Sequence, residues 1–270
     1  MTKTNPRIAL VTGASSGIGR ATAQALRKAG FCVFGTSRRA AENFDGVTML
    51  ACDVTDDASV AKMVQEVLAK AGRIDLLVNN AGIGLLGGAE ESSIGQAQAL
   101  FDVNVFGVVR VTNAVLPAMR RQKKGRIVNL SSVLGLIPAP YSALYASTKH
   151  AIEGYSESLD HELRAFGIRV VLVEPAYTQT SFEENTVRPD RALDVYDSAR
   201  AGMNEILRKG VETGDAPETV ARTILKAARS STPRLRYPAG KMARQVSFLR
   251  RFVPESMFDR SLRKQNSLPV

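Results

Sequence analysis

Short apolar runs alternate with longer amphipathic stretches along most of this chain of 270 residues, and this alternation limits the folds that it can adopt. The first run, RIALVT at residues 7–12, is almost continuously apolar, which is typical of a strand buried on both faces of a sheet. Residues 17–29 then show helical spacing and stop before Gly30, a residue type that commonly ends helices. Because parallel strands need long crossover connections, the pattern predicts an α/β fold with helices on both faces of a parallel sheet.

The alternation continues to about residue 237 and predicts a single Rossmann-like, doubly wound domain over residues 1–237. Strands are expected at residues 7–12, 31–36, 47–51, 76–79, 126–130, 169–173 and 235–237. Helices are expected at residues 17–29, 57–71, 94–119, 143–165 and 216–228. Residues 177–214 show weak periodicity and many polar residues, which indicates a substrate-loop insertion over the carboxyl edge of the sheet. Residues 238–270 form a basic, amphipathic C-terminal extension.

Composition argues against several classes of protein. The two cysteines, Cys32 and Cys52, lie in apolar runs, so we expect buried thiols rather than disulfides or metal ligands. The first seven residues are too short and polar for a secretory signal, and no apolar run is long enough to span a bilayer. We therefore expect a cytoplasmic protein without a metal site. Of the 36 basic and 26 acidic residues, 12 and 2 lie in residues 221–270, which accounts for the whole net charge of +10. No nucleic-acid-binding motif accompanies this local excess, so no nucleic-acid partner is expected.

The turn after the first strand, TGASSGIG at residues 12–19, is rich in glycine. Such a turn lets the backbone approach a pyrophosphate closely, while the following helix directs its N-terminal N–H groups at the anion. The segment GASSG also matches the GxSxG elbow of serine hydrolases, but that elbow follows a later strand and needs a histidine after the acid. The two histidines, His150 and His161, share one predicted helix, which disfavours a hydrolase. The expected pyrophosphate contacts are Gly13, Ser15, Ser16, Gly17, Ile18 and Gly19.

A second group of polar residues indicates acid/base chemistry. Tyr145 and Lys149, in YASTK, are four residues apart and therefore share one face of a helix. A lysine ammonium beside a phenol favours the phenolate, so we expect the pKa of Tyr145 to fall from about 10 towards neutral pH. Ser132 follows the fifth strand, at the edge where open α/β sheets bind ligands. Asn104 stands in a mostly apolar helix, where it must find hydrogen-bond partners or join a water relay.

Taken in order, TGxxxGIG, NNAG at residues 79–82, the helix asparagine, the serine, YxxxK and a proline-containing turn after the sixth strand resemble the short-chain dehydrogenase/reductase family. The similarity is to hydroxysteroid dehydrogenase and carbonyl reductase members, and it runs from about residue 7 to residue 180. It implies that Tyr145 exchanges a proton with a carbonyl or alcohol oxygen and that Ser132 orients this oxygen. It also implies that Lys149 lowers the pKa of Tyr145 and binds the nicotinamide ribose. Asn104 would hold a water that links Lys149 to solvent.

The resemblance also implies the remaining cofactor contacts. Asp53 would contact the adenine amino group, and Asn80 would support the adenosine side. Where the family usually has Pro-Gly after the sixth strand, this chain has Pro175-Ala176. Since alanine disfavours a positive φ, the turn either does not need one or is altered. The further residues expected at the cofactor are Val54, Ala81, Gly82, Pro175, Thr178 and Thr180.

The end of the second strand bears on the choice of cofactor. NAD-binding sheets usually carry an acid here for the ribose diol, but this chain reads Ser37-Arg38-Arg39. Two arginines offer planar, permanently charged donors to a 2′-phosphate, although a solvated basic turn would look the same. We therefore expect NADP(H). The alternative to an NADP(H)-dependent oxidoreductase is a catalytically idle NADP(H)-binding sensor or scaffold protein. The presence of Asn104, Ser132, Tyr145 and Lys149 together argues against it, because an idle protein would not need all four.

The sequence gives less information about the substrate, the oligomeric state and the role of the C-terminal tail. The apolar segment between Ser132 and Tyr145 favours a lipophilic ketone, aldehyde or alcohol. Helices 94–119 and 143–165 are apolar on more than one face, which predicts a homodimer or homotetramer. In the tail, Met242, Val246, Leu249 and Val253 form one apolar stripe beside a basic face. Such a helix can lie on an anionic membrane, but docking on its own domain, as a roof over the substrate pocket, is the expected arrangement.

Overall fold

Seven parallel strands form one sheet in the computed structural model, in the order β3-β2-β1-β4-β5-β6-β7. The structure describes residues 6–39, 41–182 and 186–265, so the extreme N-terminus, residue 40, part of the insertion and the last tail residues lie outside the described residues. The order reverses between β1 and β4, which confirms the doubly wound, Rossmann-like domain. The strands are β1 (Ile8–Val11), β2 (Cys32–Ser37), β3 (Val47–Ala51), β4 (Leu76–Asn79), β5 (Gly125–Leu130), β6 (Ile168–Pro175) and β7 (Arg236–Ala239).

Helices cover both faces of the sheet, as predicted. In β1, Ile8 and Leu10 point into the core beneath α2, α4 and α5, whereas Ala9 and Val11 point towards α1 and α7. Every position of β1 is therefore buried, which explains its continuous apolar run. The helices are α1 (Gly17–Lys28), α2 (Asp57–Ala71), α3 (Ile94–Phe101), α4 (Gly107–Gln122), α5 (Ala143–Leu163), α6 (Asp197–Glu212), α7 (Pro217–Arg229), α8 (Lys241–Phe252) and α9 (Glu255–Gln265).

The helix expected at residues 94–119 is not uniform. A π-helical turn, Asp102–Phe106, separates α3 from α4. It contains the buried Asn104, and such turns are frequent at functional sites. By length and composition the run Ile94–Gln122 could cross a bilayer, but Val111, Val115 and Met119 are fully buried against the sheet. The run therefore serves as a core helix of the domain.

The insertion is more ordered than its sequence indicated. The weak periodicity of residues 177–214 conceals α6, whose only buried residue is Met203, so the helix has almost no apolar stripe to detect. The fully buried Glu91 anchors the insertion beside β4. Its carboxylate accepts hydrogen bonds from the N–H groups of Gly88 at 2.6 Å and Leu193 at 2.8 Å, and it pairs with Arg200.

Two expectations for the tail need correction. The domain boundary placed after residue 237 divides β7, which continues to Ala239 and pairs with β6. The docking face of α8 is also rotated from the expected stripe: Ala243 is fully buried, whereas Met242 and Leu249 remain 43% and 45% exposed. Since α8 begins directly after β7, its approach angle, rather than its most apolar side, decides which residues meet the domain. Helix α8 does dock on the chain's own domain, as expected, but through Ala243 rather than through Met242 and Leu249 of the predicted stripe.

Candidate active site

The glycine-rich turn brings the ends of β1, α1 and β4 together. Gly13 and Gly17 adopt positive φ values of 64° and 51°, which glycine tolerates. A Cβ atom on Gly19 would lie 2.1 Å from the carbonyl oxygen of Gly13, so no side chain fits there. The Asn80 side-chain amide donates to the carbonyl oxygens of Thr12 at 2.9 Å and Gly13 at 3.0 Å. Asn80 therefore holds the glycine-rich turn in place.

The same turn has the features that a dinucleotide requires. Ser15 is exposed, and Ser16 at the N-cap of α1 makes no side-chain capping bond. The first turn of α1 contains no acidic residue, so the positive end of its dipole is not neutralised from within the helix. The bare backbone around Gly17 and Gly19 allows close approach of a pyrophosphate, so these residues fit the group.

The adenosine end of the expected site lies beyond β2 and β3. Arg38 and Arg39 are exposed, and neither forms an ion pair with any residue that the structure describes. One carboxylate oxygen of Asp53 accepts hydrogen bonds from the backbone N–H and hydroxyl of Thr55, which lower the pKa of Asp53. Val54 is buried and packs towards Gly107, so any contact of Val54 with a cofactor would have to come from its backbone.

Tyr145 and Lys149 share the inner face of α5, as predicted. The Lys149 ammonium nitrogen lies 5.6 Å from the centroid of the Tyr145 ring and donates to the Leu130 carbonyl oxygen at 3.0 Å. Burial lowers the pKa of Lys149 to about 8. Burial raises the pKa of Tyr145 above its ordinary value, which contradicts the expected lowering. The reason is that the ammonium is directed at the Leu130 carbonyl oxygen at the end of β5, so desolvation outweighs its attraction for a phenolate.

Ser132 and Asn104 flank this pair. The Ser132 hydroxyl accepts from the N–H of Leu134 at 3.1 Å and lies 3.5 Å from the carbonyl oxygen of Pro175. The Asn104 amide donates to the Ile83 carbonyl at 2.9 Å and accepts from the Ile83 N–H at 2.9 Å. It also donates at 3.2 Å to the hydroxyl of Thr148, the residue before Lys149. Asn104 thus joins the segment after β4 to α5.

The turn after β6 accommodates alanine. Ala176 does not adopt a positive φ, so the departure from Pro-Gly does not strain this turn. Thr178 is buried, and its hydroxyl donates to the Ala176 carbonyl at 3.2 Å. Thr180 lies against the glycine-rich turn, because a Cβ atom on Gly17 would come within 3.2 Å of its side chain. Of these two threonines, Thr180 is the one that the structure places against the expected pyrophosphate site.

The chain is similar in sequence and in fold to several known proteins. Residues 7–191 match the family model described as short chain dehydrogenase. A 3-ketodihydrosphingosine reductase from Bacteroides thetaiotaomicron is 37% identical, over 96% of this chain and 97% of its own length. Retinol dehydrogenase 8 from Bos taurus is 36% identical, over 86% and 80% of the two chains. A short-chain dehydrogenase structure from Streptomyces avermitilis superposes with a TM-score of 0.82 at 33% identity, covering 98% of both chains.

The chain belongs to the short-chain dehydrogenase family. This short-chain dehydrogenase is therefore an oxidoreductase of the type that acts on alcohol and carbonyl groups. Similar structures contain either cofactor: one from Burkholderia phymatum, with 25% identity over 96% and 97% of the chains and a TM-score of 0.78, holds NAD. A metagenomic enzyme, with 28% identity over 85% and 95% of the chains and a TM-score of 0.65, holds NADP. The family thus indicates a nicotinamide cofactor without distinguishing the two.

Sequence reasoning missed a buried ionic cluster beneath the catalytic-type pair of this short-chain dehydrogenase. Glu153 lies one helical turn beyond Lys149, and Glu174 directly precedes Pro175. Arg236 donates to Glu153 at 2.8 Å and lies 3.5 Å from Glu174. Glu174 is fully buried, and neither of its carboxylate oxygens accepts a hydrogen bond from the described residues. The detectable signal was an acidic residue inside the otherwise apolar run VVLVEP.

A second missed residue is Phe182, from the insertion. Its ring centroid lies 5.9 Å from that of Tyr145. Beyond Thr178 and Thr180 at its start, the insertion had no recognisable elements in the sequence, so Phe182 could not be assigned to the site. The contact places an apolar surface directly beside the phenol.

The buried Glu174 predicts a pH-dependent stability. Burial and the nearby Glu153 raise the pKa of Glu174 to about 8, with Arg236 opposing. Between about pH 4.5, the usual value for an exposed glutamate, and pH 8, the folded protein keeps a proton that the unfolded chain releases, so stability falls as pH rises. Glu174→Gln removes this dependence. The free energy of unfolding of the wild type, relative to that of the variant, should fall by about 1 kcal/mol per pH unit over this window.

Urea unfolding between pH 5 and pH 8.5 measures this difference. Glu66→Gln, at an exposed carboxylate on α2, is the matched control and should run parallel to the wild type. Parallel profiles for Glu174→Gln would show that Glu174 is ionised in the folded protein.

Proposed function

We propose that this short-chain dehydrogenase is an NADP(H)-dependent oxidoreductase that interconverts a lipophilic ketone or aldehyde with the corresponding alcohol. The observation that carries the proposal is the placement of Tyr145 and Lys149 on one face of α5. Their side chains lie beside the end of β5, at the carboxyl edge of the sheet where such folds bind ligands. Ser132, two residues beyond Leu130, comes from the same edge.

Each side chain has a defined task in this proposal. A bound nicotinamide would supply or accept the hydride, and the protein's residues handle the proton. Tyr145 donates its phenolic proton to the carbonyl oxygen during reduction and removes one from the hydroxyl during oxidation. The Ser132 hydroxyl, held by the N–H of Leu134, orients the same oxygen. Lys149 adds positive charge near the phenol, and Asn104 connects this region to β4.

NADP(H) is favoured by charge at the end of β2. Arg38 and Arg39 are exposed, and no carboxylate stands at this position to bind a ribose diol. The Ser37 hydroxyl already donates to the Arg39 carbonyl oxygen, which orders the turn. A 2′-phosphate would place negative charge beside both guanidinium groups, neither of which forms an ion pair with the described residues.

A lipophilic substrate is favoured by the walls around Tyr145. Phe182 from the insertion faces the phenol. The turn between Ser132 and α5 adds six apolar side chains, of which Ile137 is buried, Pro138 is exposed and the others are partly buried: Leu134, Leu136, Ile137, Pro138, Pro140 and Tyr141. The names of the two relatives, a ketodihydrosphingosine reductase and a retinol dehydrogenase, denote large apolar substrates. We also place the protein in the cytoplasm, because its cysteines, Cys32 and Cys52, are both free thiols.

Tyr145→Phe should abolish turnover while leaving cofactor binding intact, because the ring still packs but the ionisable oxygen is lost. We expect kcat for NADPH oxidation with an apolar ketone to fall by about 10²–10⁴-fold. NADPH fluorescence titration should give an unchanged Kd. Tyr155→Phe, on the same helix but in the core, is the matched control and should retain activity. Near-normal kcat in Tyr145→Phe would exclude Tyr145 as the acid/base.

Arg38→Asp should shift cofactor preference towards NAD(H), because it removes a donor to the 2′-phosphate and introduces repulsion. Ser37→Asp should act in the same direction by supplying an acceptor for the ribose diol. We expect the ratio of kcat/KM for NADPH and NADH to fall at least about tenfold, the effect of losing one charge-assisted hydrogen bond. Arg121→Asp, at the exposed end of α4, controls for net charge. An unchanged ratio in both β2 variants would favour a solvated basic turn.

We further propose a homodimer or homotetramer formed through α3, α4 and α5. Ile94 and Phe106 are 75% and 53% exposed, and they line one apolar groove with Phe101. Light scattering at micromolar concentration should give a multiple of 29.1 kDa for the wild type. Phe106→Glu should shift the mass towards that of the monomer, because it places a charge in the face that would be buried between subunits. A wild-type mass of one chain would contradict the assembly.

A further inference from the structure

Helix α8 has two different faces. Its inner face docks on the domain through the fully buried Ala243 and the partly buried Val246 and Ser247. Arg250 continues this line, with its guanidinium donating to the Leu136 carbonyl oxygen at 3.2 Å. These positions follow the spacing of i, i+3, i+4 and i+7, which is one side of a helix.

The opposite face of α8 is apolar and exposed. Phe248, Leu249 and Phe252 are 62%, 45% and 63% exposed, and Met242 lies on the same side. The rings of Phe248 and Phe252 contact each other, with centroids 4.8 Å apart and planes inclined by 44°. Met257, in the adjoining helix α9, is also 63% exposed and is the fifth exposed apolar side chain of this region. At 100° per residue, the docked and exposed sets centre on nearly opposite sides of α8.

Positive charge surrounds this apolar face. Residues 241–264 contain seven basic and two acidic side chains. Lys241, Arg244, Arg251 and Arg260 are all exposed, and none forms an ion pair within the part of the chain that the structure describes. The guanidinium of Arg251 lies 5.6 Å from the ring centroid of Phe252, so charge and apolar surface are directly adjacent. We name the exposed apolar residues of α8 and α9, with these four cations, the tail surface.

We propose that the tail surface binds the surface of an anionic lipid bilayer. Bulky apolar side chains flanked by lysine and arginine are what insert at the boundary between headgroups and acyl chains, and an anionic membrane supplies the negative charge that these cations lack. A second copy of this chain is a poorer occupant, because symmetric pairing would bring two positively charged surfaces together.

The location of the tail surface adds a functional consequence, which rests on the proposed lipophilic substrate. The carbonyl oxygen that accepts the hydrogen bond from Arg250 belongs to Leu136, in the turn between Ser132 and α5. The inner face of α8 therefore contacts the rim of the candidate site while its outer face meets the bilayer. A substrate dissolved in the membrane would have a short path to Tyr145.

Co-sedimentation of the full-length protein with vesicles tests the binding. We expect binding to vesicles of phosphatidylglycerol and phosphatidylcholine, little binding to phosphatidylcholine alone, and release by high salt. Phe248→Ser with Phe252→Ser should lower the partition coefficient at least about tenfold, because two large apolar side chains are lost from the interface. Arg244→Gln with Arg251→Gln should lower it by roughly fivefold for each charge removed.

Matched controls lie at the amino edge of the sheet, away from the tail. Phe166→Ser removes an aromatic side chain that is 45% exposed, and Arg120→Gln with Arg121→Gln removes two exposed charges from α4. Both should bind vesicles like the wild type. Turnover of a water-soluble ketone by the tail variants should stay normal, which shows that they are folded and separates this test from that of the proposed reaction.

Three results would overturn the proposal. The first is failure of the wild type to bind anionic vesicles. The second is equal binding by the wild type and the double phenylalanine variant. The third is a fall in mass by light scattering for that variant, without vesicles, which would identify the tail surface as an interface between copies.

Discussion

The close approach of β1 and β4 at the glycine-rich turn is the constraint on which the rest of the molecule depends. The Thr12 hydroxyl accepts hydrogen bonds from the N–H groups of Asn80 and Ala81, both at 3.0 Å, and the Asn80 amide returns two bonds to the turn. Gly19 leaves no room for a Cβ atom against Gly13. Because the strand order reverses here, the turn opens a crevice at the carboxyl edge, and each later element contributes its functional residues to that crevice.

A second set of buried hydrogen bonds carries this geometry across the sheet to α5. Asn79 at the end of β4 donates to Asn129 of β5 at 2.9 Å, and Asn129 donates to Ser156 of α5 at 2.9 Å. Each such bond contributes only about 1 kcal/mol, but leaving a buried amide without a partner costs more, so the register of strands and helix is strongly specified. The same helix carries Lys149 and Tyr145, about two and three turns before Ser156, so this bond helps to set their positions.

The strands, most helices and the expected site residues could be predicted because they depend on local signals. A strand buried on both faces must be apolar throughout, and a glycine turn or an i, i+4 pair needs no tertiary information. The π-helical turn at Asn104 could not be predicted, since it arises from the partners that the amide finds on Ile83. Helix α6 buries only Met203, and the orientation of α8 follows from where β7 ends. In each case the deciding contact comes from a distant part of the chain.

The pKa of Tyr145 is a further property that the local sequence pattern could not predict. Spacing places Lys149 beside Tyr145, but the free energy of ionisation depends on where the ammonium is held and how far both groups are desolvated. Here the ammonium bonds to the Leu130 carbonyl, burial raises the pKa of Tyr145, and burial lowers that of Lys149 to about 8. Burial therefore favours the protonated phenol, which is the form that can donate to a carbonyl oxygen. Removing a proton from an alcohol requires the phenolate, so oxidation depends on positive charge held near the ring, and Lys149, 5.6 Å from the ring centroid, is the cation on the same face of α5.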